Sequence, residues 1–173
     1  MVSKKDLAKE GLLKALKVRS SLQITPEKAI CIFDVTEKFG LDVRFVDFPS
    51  MEGLYLKDEN QILVCSERPS GRKAFTCGHE LAHHVFGHSI KVDKFMEDWK
   101  AKDCFEPEEF LANCFSGFLL MPKLAVFNGF SSRKWKIEGC NPIQFYAVSN
   151  WLGVGYATLI NHMTYSLILQ SYF

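Results

Sequence analysis

Four of the chain's five histidines, His79, His83, His84 and His88, fall within ten positions, in the run C-G-H-E-L-A-H-H-V-F-G-H at residues 77–88. Two pairs in it, His79/His83 and His84/His88, have the i, i+4 spacing that shares one helix face. At roughly 100° per residue, His84 lies about 140° and His88 about 180° from His79. The pairs are therefore expected to point in nearly opposite directions, and one ion cannot serve both. Only the first pair encloses an acid, as H-E-x-x-H. There His79 and His83 can bind Zn²⁺ at roughly 2.0–2.1 Å, and Glu80, one step round the helix, can take a proton from a water on the ion. The second pair has Val85 in that place and is expected to be structural or solvated.

H-E-x-x-H alone is short enough to arise by chance, so a third ligand has to be found. Catalytic zinc commonly takes three protein ligands. The later run E-E-F-L-A-N-C-F-S-G-F-L-L-M-P (108–122) supplies a candidate. On a helix Glu109, Asn113, Ser116 and Leu120 line up, and Ala112, Ser116 and Gly117 are small enough for a second helix to approach closely. Glu109 can then offer a carboxylate oxygen to the metal. Asn113, one turn on, can accept the outer ring N–H of a ligand histidine and fix its tautomer. Glu106 and Glu108 read as first-turn acids that suit the helix dipole.

With these pieces on one chain, F-T-C-G-H-E-L-A-H-H (75–84) and E-F-L-A-N-C-F-S-G-F-L-L-M-P (109–122), the sequence resembles the ImmA/IrrE family of metallopeptidases over residues 25–165. The resemblance implies His79, His83 and Glu109 as ligands of a single zinc ion and Glu80 as catalytic base. Ala82 departs mildly from the Gly or Ser that the family often has there. It also implies an intracellular, site-specific protease whose partner is a helix-turn-helix repressor, in phage, mobile-element or stress regulation or in toxin–antitoxin modules.

The rest of the chain supports a single domain over 1–173. It divides into an N-terminal amphipathic helix (1–24, with Leu7, Leu12 and Leu16), a catalytic core (25–122) and a C-terminal helical segment (123–173). Thr25 and Pro26 look like the cap and first position of a helix stopped at Gly40, with Ala29, Ile32, Phe33 and Thr36 on one face. L-D-V-R-F-V-D-F (41–48), G-L-Y-L (53–56) and Q-I-L-V-C (61–65) read as strands. The expected helices are 72–87, 106–121, one from 142 to Gly153 and one from Tyr156. A charged, mobile-looking connection covers 89–105, and 123–140 reads as irregular with a short strand at K-W-K-I-E. The expected fold is α+β: a mainly helical, zincin-like domain with a small, mostly antiparallel three-stranded sheet packed beside the H-E-x-x-H helix.

Composition narrows the function classes. A net charge of +1 gives no electrostatic reason to expect a nucleic-acid or membrane partner. The six cysteines never fall into C-x-x-C spacing. Cys31, Cys77 and Cys114 lie in helical segments, so buried free thiols in a reducing cytoplasm are expected. No signal-type apolar region opens the sequence, and the apolar runs read as too short to cross a bilayer. A-V-S-N-W-L-G-V-G-Y-A-T-L-I-N-H-M (147–163) resembles half of a helix-turn-helix, but 140–173 contains no Lys or Arg. It should read DNA poorly, and packing or repressor docking is expected instead. His162, Tyr146 and Tyr156 could reach a cleft to stabilise an oxyanion, yet a core or surface place suits them better. Two rivals to the peptidase remain: a non-cleaving, antitoxin-like scaffold that sequesters a regulator or toxin, and a DNA-binding regulator.

Overall fold

The computed structural model of the chain describes residues 3–48, 50–88, 92–94 and 106–166. Its seven α-helices among these residues are α1 (Lys4–Ser21), α2 (Ile32–Glu37), α3 (Ser70–Phe86), α4 (Pro107–Leu120), α5 (Lys123–Ser131), α6 (Pro142–Trp151) and α7 (Tyr156–Asn161). Four strands, β1 (Asp42–Val46), β2 (Met51–Leu56), β3 (Gln61–Cys65) and β4 (Val92–Lys94), form a sheet in the order β1-β3-β2-β4. The architecture is α+β and mainly helical, as expected. The sheet is mixed: β1 runs parallel to β3, while β2 is antiparallel to both its neighbours. β4 lies in the segment expected to be a connection; the rest of 89–105, Cys104 included, is outside the described residues.

α4 is apolar almost all round because it lies between α1 and α3, while β2 and β3 pack on the other helix of that pair, α3. Leu111, Phe115, Phe118 and Leu119 of α4 are all buried. By length and hydropathy the run Pro107–Ser131 would pass for a membrane span, which corrects the expectation that every apolar run is too short. It is broken at Met121–Pro122, and 67% of its most apolar window is buried within the fold, the signature of core helices.

α1 starts in a capping box between Ser3 and Asp6. Its buried stripe is Leu7, Ala8, Gly11, Leu12, Ala15, Val18 and Arg19. Leu16, nine residues from Leu7 and so about 180° round the helix, is 40% exposed.

Arg19 explains why no helix starts at Thr25. Its buried guanidinium donates to the carbonyls of Leu119 (2.7 Å), Thr25 (2.9 Å) and Lys28. The Thr25 and Lys28 carbonyls are acceptors that a helix begun at Pro26 would use in its first turns. Residues 22–31 therefore form turns, and α2 begins only at Ile32, with Ile32, Val35 and Thr36 buried and Cys31 exposed outside the helix. Burial pulls Arg19 down to about 10, which leaves it charged at neutral pH. Arg19→Met keeps the apolar stem but takes the guanidinium from three carbonyls, of which Thr25 alone keeps a described backbone donor, the Lys28 N–H, so a loss of about 2–4 kcal/mol is expected from urea unfolding. A midpoint equal to wild type would show that the guanidinium contributes nothing net.

Residues 123–140 are also more ordered than expected. α5 fills the first half, and Ile137–Gly139 makes a 3₁₀ turn where a strand was expected. α6 starts at an Asn141–Gln144 capping box, and Gly153 ends the turn after it with φ +73°. α7 leads into a π-helical turn, His162–Ser166.

Candidate metal centre

α3 runs through the core with every residue from Thr76 to His83 buried. Its periodicity stacks His79 over His83, so their Nε2 atoms lie 3.0 Å apart. The first turn of α4 brings Glu109 across, with Oε2 3.0 Å from His79 Nε2 and Oε1 3.7 Å from His83 Nε2. One ligand atom from each of the three lies within 4.8 Å of the others. A tetrahedral ion with bonds of about 2.0–2.1 Å holds its ligand atoms about 3.3–3.4 Å apart. The donors are thus spaced as one small divalent cation requires, and two imidazoles with a carboxylate match the chemistry of zinc. Glu106 is exposed, and neither it nor Glu108 joins the cluster.

The outer ring nitrogens are also engaged. Asn113 Oδ1 lies 3.1 Å from His79 Nδ1. An amide oxygen only accepts, so the proton sits on Nδ1 and the Nε2 lone pair is left for a metal. His83 Nδ1 has a partner the sequence did not reveal, His88 Nδ1 at 3.0 Å. This corrects the expectation that His88 points away. The helical wheel fails because the helix ends first. Gly87 takes the left-handed conformation (φ +73°), and the His88 N–H bonds back to the His83 carbonyl at 2.9 Å. This closing turn folds residue 88 under its own helix. Gly87 was the available signal, because a glycine there marks a helix stop.

His84 does face away. Its Nδ1 pairs with Tyr55 Oη at 2.8 Å, and its ring stands edge-on to Phe39 and Tyr55. Burial lowers the His84 pKa and raises that of Tyr55, so both stay neutral.

Glu80 is 1% exposed, lying beneath β2. A Cβ on Gly53 would come within 2.5 Å of Thr76 Cγ2 and 2.8 Å of Glu80 Oε1. Only a glycine at 53 lets the strand pass this close to the carboxylate. Next to it, Glu52 is clasped by Arg68 and Arg72, each at 3.0 Å. Nothing in the sequence pairs these three residues.

Beside His79 opens a cavity of about 430 Å³ lined by residues of β2, α3, α4 and α7. Asn113 and His162 are both on its wall, whereas Tyr146 and Tyr156 are exposed and outside the described lining. His162 is buried, donates from Nε2 to the Met121 carbonyl (2.8 Å) and packs edge-on against Phe118. Burial pushes it down to about 4, so the ring is neutral. It is a core histidine anchored through Nε2, and it also reaches the cleft.

Two crossing helices that converge two histidines and a glutamate, with an acid between the histidines and a small sheet alongside, define a metallopeptidase-type domain. Over residues 36–158 the chain matches the IrrE N-terminal-like domain of the peptidase M78 family, and it belongs to that family. The match begins within α2, so α1 and its Arg19 clasp lie outside it. No curated protein matches the chain.

Proposed function

We propose that the chain is a zinc-dependent endopeptidase that cleaves a helix-turn-helix repressor or a related regulatory protein. The convergence of His79, His83 and Glu109 around one point, with Glu80 one residue from His79, carries this reading. His79, His83 and Glu109 would hold the ion, which would supply Lewis acidity to acidify water and polarise the scissile carbonyl. Glu80 takes the proton of the attacking water on its carboxylate and passes it to the leaving amine nitrogen. Asn113 accepts from His79 Nδ1 and so fixes the tautomer of that ring, while His88, whose ring nitrogen can donate or accept, holds the orientation of His83. Burial of α3 keeps bulk water away from these donors. The five described cysteines are free, which suits the reducing cytoplasm of this reading.

The partner is proposed from the family resemblance. Incubating the zinc-loaded chain with a helix-turn-helix regulator encoded beside it should yield two fragments, with one cut site by mass spectrometry. A stable complex with an intact partner would instead identify a scaffold. A DNA-binding role has little to stand on: α7 is six residues long, and 140–173 has no Lys or Arg.

The His88 contact has its own test. His88→Ala should weaken zinc binding about 10–100-fold in competition with a chelator, while the circular dichroism spectrum stays unchanged. Unaltered affinity would mean that His83 needs no such partner.

A further inference from the structure

The cavity beside His79 has a chemistry of its own. Phe75, Phe110 and Met121 give it apolar walls, and Thr158, Asn161 and His162 place polar groups at its α7 side. The His162 tautomer is set by structure. A carbonyl only accepts, so the bond to Met121 puts the proton on Nε2 and leaves Nδ1 an acceptor. A Cβ on Gly117 would sit 3.0 Å from Nδ1. Glycine at 117 therefore leaves that lone pair uncovered on the cavity wall.

We propose that this cavity receives one side chain of the substrate and that His162 selects it: an uncharged aromatic with a hydrogen-bond donor, tyrosine or tryptophan. The inference rests on the peptidase reading above. A phenylalanine would fill the space but leave His162 Nδ1 desolvated and unpaired. A carboxylate would meet the His162 lone pair, and Arg72, the single guanidinium of the described lining, is already paired with Glu52. A lysine or arginine would find Glu52, the single carboxylate of the described lining, already shared by Arg68 and Arg72. Small side chains would leave a cavity of this volume unfilled.

Binding tests this without any need for cleavage. Zinc-loaded Glu80→Gln chain is titrated with N-acetyl-tyrosinamide and with N-acetyl-phenylalaninamide, followed by NMR. The tyrosine probe should bind about threefold to tenfold more tightly and shift the signals of Thr158 and Asn161. His162→Leu removes the acceptor; Gly117→Ala covers it while the Met121 bond remains, and serves if the first variant does not fold. Each should erase the preference. Equal binding of the two probes to the parent chain, a preference that survives either folded variant, or no shift at Thr158 and Asn161 would overturn the proposal. Failure of the peptidase reading would look different: the tyrosine preference would persist while no partner is cut.

Discussion

Glu80→Gln is expected to slow partner cleavage by about 10²–10⁴-fold, the usual contribution of one positioned base. That factor corresponds to about 3–5 kcal/mol of barrier. The substitution changes almost nothing else. Glutamine has the shape of glutamate, and the site holds that shape closely, since Gly53 brings the β2 backbone against the carboxylate. An amide oxygen, however, does not accept a proton at neutral pH. Zinc content and thermal unfolding should match the parent chain, so the loss belongs to proton transfer. The loss should fall on kcat, with KM little changed, because the group acts in the transition state. A variant that cuts at the parent rate would remove Glu80 from the mechanism.

The second large effect is on the metal. The purified chain should carry about one zinc, and His79→Ala combined with His83→Ala should carry none. Glu109 alone supplies one carboxylate, too little to retain the ion. Stability gives a second readout. A ligand at 1,000 times its Kd stabilises the fold by about 4 kcal/mol, so added zinc should raise the Tm of the parent chain and leave the double variant unmoved. A double variant that still binds one zinc per chain, with the same gain in Tm, would place the metal elsewhere. Cys77 is a poor substitute ligand, because burial pushes its thiol up to about 12.

Much of the centre was legible in the sequence because it lies along regular helices. The step from His79 to His83 and that from Glu109 to Asn113 are each one helical turn, so local periodicity decides what shares a face. The 25 residues between His83 and Glu109 did not matter, since each helix announces its own donors. Legibility ended where the chain leaves regular structure. The helical wheel that sends His88 away continues a helix that Gly87 has already stopped. Thr25 and Pro26 do look like a helix start, but Arg19 from α1 takes the carbonyls such a helix would need. The extended reading of K-W-K-I-E lost to a 3₁₀ turn, and an expected irregular stretch became α5.

The sequence by itself determined the family, the spacing of the histidine pair and the acid between them, because these depend on a helix turn and nothing farther away. Only the tertiary structure decided what surrounds them. It put Glu52 between Arg68 and Arg72, Gly53 over Glu80 and His162 beside Gly117, contacts between segments that no periodicity relates. It also made β1 parallel to β3, with β2 between them in sequence but not in space. Such contacts answer to burial and hydrogen-bond satisfaction across the whole core, which a one-dimensional pattern does not encode.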